Sequence, residues 1–254
     1  MNLDIRIFKD SEKLSHHAAE IFIKQATQAI HERGRFLVAL NGGNTPTRLF
    51  QLLATDYQDK INWTSIHIFW GDERCVPPDD PGSSYGQARE ALLSHVPIPA
   101  ENIHSVDTSL SPAEAAGDYA RLLSQFSNPL LSFPRFDLVY LGMGEDGHTA
   151  SLFPGSTVHV TETVIPVTAN YQDRPANRVT MTQLIFNQAR MIAFMATGEK
   201  KAFTLAEVLS DRYNPELYPA QRIDPQDGQL IWLVDEAASG KLPRKTKGLK
   251  FCEG

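Results

Sequence analysis

One stretch, Phe136 to Gly155 (FDLVYLGMGEDGHTASLFPG), most limits what this chain can fold into. Phe136 to Leu141 is an apolar run of strand length, as expected for a strand buried on both faces. Glycines follow at 142, 144 and 147, Asp146 and His148 stand two residues apart inside the turn, and Pro154 and Gly155 close it. An open α/β sheet holds its ligands at the carboxyl ends of its strands. A buried strand running into a glycine turn with an acid and a histidine fits that place. Histidine is also the side chain best suited to moving protons near neutral pH.

Two nucleotide motifs overlap this turn, and neither is complete. Gly142-x-Gly144-x-x-Gly147 has dinucleotide spacing, with Glu162 near the ribose position. That fingerprint needs a helix at once, and Pro154 and Gly155 break the chain too early. Gly142-x4-Gly147-His148-Thr149 has phosphate-loop spacing but puts His where the phosphate-binding Lys belongs. A third pattern, Gly82-x-Ser84-x-Gly86, resembles a serine-hydrolase elbow. It follows Pro77-Pro78-Asp79-Asp80-Pro81 rather than a strand, so the elbow geometry is not expected.

Around the turn the chain alternates strand and helix. Ile5 to Phe8, Phe36 to Leu40, Ile66 to Trp70, Val164 to Val167, Arg190 to Thr197 and Leu230 to Val234 read as strands. Helices are expected over residues 11–33, from Pro46 with Thr45 as its cap, over about 84–94, from a Ser111–Glu114 capping box to about Gln125, from Ala202 to about Leu209, and after Asp235. This order predicts an α/β fold: a mostly parallel sheet with helices on both faces. Residues 1–240 are expected to form a single domain, and residues 241–254 a peripheral basic tail.

Several strand ends carry polar or glycine-rich residues. Asn41-Gly42-Gly43-Asn44-Thr45-Pro46 joins a strand to a helix start. Exposed N–H groups and the helix dipole there favour a phosphate, and the glycines let it approach the backbone. Gly71-Asp72-Glu73-Arg74 places three charges at the next strand end, either as a solvated turn or as part of a site. Gly198-Glu199-Lys200-Lys201-Ala202 puts lysines at a helix start, against the dipole, as an anion site would.

The net charge of −6 argues against nucleic-acid or membrane-surface partners, so positive charge for an anionic ligand must be gathered locally. Two cysteines, Cys75 and Cys252, imply neither a disulfide framework nor a cysteine zinc site. No signal peptide and no run of about 18 apolar residues is evident, so a cytoplasmic location is expected. No apolar interface face stands out, and the sequence sets no oligomeric state.

Together, NGGNTP, GDER and GMGEDGHTASLFPG, with Arg178-Val179-Thr180 and the Gly198 turn, resemble the 6-phosphogluconolactonase family across nearly the whole chain. Asn41 replaces the usual Ser at the head of the phosphate loop and can still donate a hydrogen bond. The sibling glucosamine-6-phosphate deaminases share the fold and the Asp-Gly-His core. They carry a Glu where this chain has Phe153, and a Tyr where it has Arg74. The resemblance implies a Rossmann-like three-layer fold and hydrolysis of 6-phosphoglucono-1,5-lactone, a small sugar-phosphate substrate, without cofactor or metal. His148 is then the base that activates water, and Asp146 its orienting partner. Arg74 serves either the oxyanion or the phosphate. The phosphate is expected to meet Gly42, Gly43 and Thr45, with Arg178 and Lys201 giving charge-assisted bonds. Asn41, Asp72 and Arg222 complete the candidate set. The alternatives are a deaminase or isomerase, a non-catalytic sugar-phosphate sensor, and an NAD-linked dehydrogenase.

Overall fold

The computed structural model describes residues 4–128, 130–243 and 249–252. Strand β1 (Asp4–Phe8) leads into α1 (Ser11–Arg33), whose ends fall where expected. Asp10 accepts from the Lys13 N–H at its start, and Gly34 closes it in the left-handed region at φ 75°. Then come β2 (Phe36–Leu40), α2 (Asn44–Ala54), β3 (Ile66–Trp70) and β4 (Asp72–Arg74). Helix α3 (Ser84–Ala88) continues as a π-helical turn, Arg89–Leu93. After β5 (Ile103–His104), α4 (Pro112–Ser124) opens on the expected capping box, with Ser111 and Glu114 bonding each other's backbone. The chain continues through β6 (Leu138–Gly142), β7 (Val164–Thr168), β8 (Asn177–Met181), α5 (Gln183–Phe186) and β9 (Met191–Ala196). It ends with α6 (Ala202–Val208), β10 (Gln229–Asp235), α7 (Glu236–Ser239) and β11 (Leu249–Phe251).

Among the described residues, eight strands form one sheet in the order β11-β1-β10-β9-β6-β2-β3-β5, and every pairing in it is parallel. Alternate residues feed two cores. In β9, Ile192, Phe194 and Ala196 pack on one side with α4 and α6. Met191, Ala193 and Met195 pack on the other side with α1 and α2. A strand buried on both faces must be apolar at every position, which is why these strands read as unbroken runs. None of the described helices is long and apolar enough to cross a membrane.

The strand order reverses between β2 and β6. From β2 the chain moves outward to β3 and β5, whereas from β6 it moves the other way to β9 and β10. Loops leaving two neighbouring strands in opposite directions open a crevice at their carboxyl ends. The Asn41 turn and the Gly142–Gly155 turn are the two loops that leave this point.

A second sheet, β4-β8-β7, is antiparallel and was not legible as such in the sequence. It is tied to the carboxyl ends of the main sheet: Gly71 N–H donates to Leu40 O at 2.8 Å, and Met181 N–H donates to Gly71 O at 2.8 Å. The chain end also departs from expectation. Rather than a peripheral tail, Leu249–Phe251 adds an edge strand on β1, and the Lys250 ammonium lies 3.0 Å from Asp4 Oδ1. Residues 244–248, 253 and 254 of that expected tail lie outside the described residues.

Candidate active site

The crevice holds a cavity of ≈ 330 Å³. Its walls are the β2–α2 turn, β4, the turn after β6, the β7–β8 hairpin and the start of α6. Asn41, Gly42, Gly43, Thr45, Asp72, Arg74, His148, Arg178 and Lys201 all line it.

The turn after β6 is built to hold one imidazole. Gly144 N–H donates to His148 O at 2.8 Å, and the Thr149 hydroxyl donates to Gly142 O at 2.8 Å. Gly147 sits at φ 85°, where a side chain is strained. This coil brings Asp146 Oδ1 within 2.6 Å of His148 Nδ1, and the same oxygen accepts the His148 N–H at 3.1 Å. An ionised carboxylate only accepts, so Nδ1 is assigned the proton and Nε2 the free lone pair. Burial pushes the Asp146 carboxyl up, but the hydrogen bond and charge of His148 outweigh it and hold the carboxyl below its ordinary value. The Phe153 ring lies 4.5 Å from the imidazole and the Tyr171 ring edge-on at 4.6 Å. Nε2 has no partner among the described residues.

The opposite wall is cationic. Strand side chains alternate between faces, so Asp72 and Arg74 share the cavity face of β4 while Glu73 points away. Glu73, 1% exposed, accepts the Ser84 and Tyr85 N–H groups at 2.7 Å each and pins the start of α3. The charged Asp72–Arg74 stretch is therefore a buried strand rather than a solvated turn. Asp72 accepts from the Ser151 hydroxyl at 2.7 Å. Arg74 donates to Gly82 O at 2.7 Å, and Arg178 to Pro175 O at 3.1 Å, with its guanidinium 5.1 Å from the Phe153 ring centre. Buried polar atoms without a partner among the described residues include Asn41 Oδ1, Arg74 Nε and Arg178 Nη2, all in residues that line this cavity. Such atoms are costly unless a ligand meets them. Burial lowers the affinity of Arg178 and of Lys201 for their protons, against the pull of Asp72 and of Asp235 respectively. Asp235 also holds Gly198 N–H, with both oxygens at 3.0 Å, and so fixes the turn that carries Lys201.

Residues 9–232 match the family described as glucosamine-6-phosphate isomerases/6-phosphogluconolactonase. A 6-phosphogluconolactonase of a Nostoc species is 40% identical over 245 residues, covering 95% of this chain and 99% of that protein. The chain belongs to the 6-phosphogluconolactonase family. The crystal structure of Thermotoga maritima 6-phosphogluconolactonase superposes with a TM-score of 0.80 at 29% identity, covering 92% of this chain and 100% of that one. A monomeric glucosamine-6-phosphate deaminase, 19% identical with a TM-score of 0.79, shares the fold.

Two expectations for this lactonase-family site need correction. Helix α2 begins at Asn44 with Gly43 as its cap, not at Pro46 with Thr45. The Thr45 hydroxyl instead bonds the Thr197 hydroxyl at 3.1 Å, and Gly43 N–H donates to Gln87 Oε1 at 3.0 Å. Arg222 is not at the cavity. It is 4% exposed and donates to Pro215 O, Ser156 O, Ser156 Oγ and Thr157 O, so its charge secures two loops. Asp146 stands behind His148 rather than on the cavity wall. The sequence reading missed Tyr171, Gln172, Arg174 and Glu145, which also line the cavity. Tyr171, Gln172 and Arg174 sit in a segment without a strand-end signature, whereas Glu145 lies within the turn after β6 itself. Only the proximity of residues 171–174 to Arg178 could have pointed to the first three.

Proposed function

We propose that this chain hydrolyses 6-phosphoglucono-1,5-lactone to 6-phosphogluconate, the second step of the oxidative pentose phosphate route, with His148 as general base. The observation that carries this reading is the facing of two unlike walls. An imidazole with its proton fixed on Nδ1 looks across a small cavity at Arg74, Arg178 and Lys201. A base on one side and fixed positive charge on the other suit a substrate with an electrophilic carbon at one end and a dianion at the other.

The chemistry follows from these groups. His148 Nε2 takes a proton from water as the oxygen attacks C1 of the lactone, and Asp146 stabilises the imidazolium that forms. The tetrahedral oxyanion then collapses, the C1–ring-oxygen bond breaks, and the imidazolium returns its proton to the leaving alkoxide. Arg74 faces the same space as Arg178, so the pair is assigned to the phosphate, together with Lys201 and the start of α2. Binding the non-reacting phosphate places C1 beside the base, which lowers the barrier through orientation. Asp72, oriented by Ser151, is assigned to substrate hydroxyls.

Phe153 packs on His148 at the position where a deaminase carries a carboxylate, and its apolar ring offers no proton for opening a sugar ring. Supplying the lactone and glucosamine 6-phosphate in parallel tests the assignment. Acceleration of 6-phosphogluconate formation without ammonia release is expected. Ammonia release without lactone hydrolysis would overturn it.

A further inference from the structure

We propose that Arg174, presented by the Tyr171–Arg174 turn, is a further phosphate-binding residue that gives this site its preference for the phosphorylated lactone. The proposal rests on the lactonase reading above.

The turn joins β7 to β8. Arg174 N–H donates to Tyr171 O at 3.0 Å, and Ala169 N–H donates to Ala176 O at 3.0 Å. Its two central residues, Gln172 and Asp173, both sit in the left-handed region, at φ 48° and 54°. Two-residue hairpins of this kind favour Asn and Gly because other side chains are strained there. Strain of this sort persists only where the surroundings over-determine it, and it gathers at ligand clamps.

The surroundings here are the catalytic turn. The Tyr171 hydroxyl accepts the Glu145 N–H at 3.3 Å, and the Tyr171 ring lies edge-on against His148. The hairpin is thus tethered to the base, and the tether sets Tyr171, Gln172 and Arg174 along the cavity wall.

Arg174 is exposed, yet it forms no side-chain ion pair or hydrogen bond among the described residues. Its charge works against the protonated forms of both Arg178 and Lys201. A fourth cation near Arg74, Arg178 and Lys201 gains nothing from protein partners. It gains from a dianion, because a phosphate presents more acceptor sites than two guanidiniums and an ammonium must fill. A solvated surface arginine would lack the strained turn, the tether and the place on the cavity wall.

The test uses the full chain with Arg174→Gln and Arg174→Lys. KM for the phospholactone should rise about tenfold in Arg174→Gln with kcat changed less than about twofold, since a ground-state and transition-state contact is lost equally. Titration of 6-phosphogluconate should show about tenfold weaker binding and a shallower dependence on salt. Arg174→Lys should recover most of both, and neither variant should melt earlier in the absence of ligand. An unchanged KM and product affinity in Arg174→Gln would overturn the proposal. So would a fall in melting temperature and kcat together at constant KM, which would mark a purely structural residue. If the wild-type chain does not hydrolyse the lactone, titrating inorganic phosphate into wild type and Arg174→Gln still decides the role of Arg174 separately.

Discussion

Arg74 and Arg178 face each other directly across the antiparallel β4–β8 pair, although they are only 5% and 2% exposed. Like charges placed opposite one another destabilise a sheet, and each guanidinium keeps a buried nitrogen unpaired among the described residues. On the proposed reading, a bound phosphate offsets this repulsion. Replacing Arg178 by an apolar side chain of similar reach should therefore separate stability from binding. In Arg178→Met, KM for the phospholactone should rise by about 10- to 100-fold, the loss expected for a charge-assisted bond. Chemical denaturation should show stability held within about 1 kcal/mol, since an apolar group replaces a poorly paired buried charge. Steady-state kinetics beside urea titration checks both halves, and an unchanged KM would remove Arg178 from the phosphate site.

Gly144 is needed for the space it leaves. A Cβ there would overlap the His148 ring and stand 2.6 Å from Asp146 Oδ1. Gly144→Ala should therefore displace the imidazole while the strands below keep their packing. The expected result is a drop in kcat of about 10²-fold, the scale of an ångström of misplacement, with product affinity largely kept. Circular dichroism and a product titration on the same sample would check it.

Asp146→Asn should leave the turn in place but replace the carboxylate that holds the Nδ1 proton with a neutral amide, whose NH2 can turn toward the ring. Turnover should fall by at least about 10²-fold, as in other sites where an orienting acid becomes an amide. The same variant carries a stability signature. The Asp146 carboxyl is held below its ordinary value of 3.8, so it contributes fully above that value and loses the contribution as pH falls through the depressed one. Wild type should thus lose stability on acidification below about pH 4, and Asp146→Asn should lose less. Urea midpoints measured across that range would show whether the two curves converge.

The contrast between motif and non-motif segments explains what could be read from the sequence. Phe36–Leu40 falls where expected because burial on both faces leaves no polar position to blur its ends, and Ile66–Trp70 does so with the half-buried His67 as its one polar position. Helix α1 was legible because Asp10 and Gly34 stop it by local chemistry. Asp72–Arg74 was ambiguous because its strand partner, Asn177–Met181, lies about a hundred residues away, and its charges look like those of a solvated turn. His148 and Asp146 are near neighbours in sequence, so their pairing could be anticipated. Tyr171 reaches His148 only through the hairpin, and that contact has no local pattern. A buried structural arginine such as Arg222 looks the same in sequence as one that binds phosphate.

That difference can be measured. Arg222 donates to three backbone carbonyls and a hydroxyl from a position 4% exposed. Arg222→Ala should destabilise the fold by about 2–4 kcal/mol by leaving buried carbonyls unpaired. KM and kcat per folded molecule should stay within about twofold of wild type. A strongly raised KM at unchanged stability would return Arg222 to the phosphate site.

The most direct test of the central claim follows 6-phosphogluconate formation from lactone generated in place out of glucose 6-phosphate, with wild type, with His148→Ala and without protein. Wild type should accelerate hydrolysis clearly above the spontaneous rate. His148→Ala should lose about 10³-fold or more of that acceleration while binding 6-phosphogluconate with near wild-type affinity. Substantial turnover in a folded His148→Ala variant would contradict the assignment of His148 as the base.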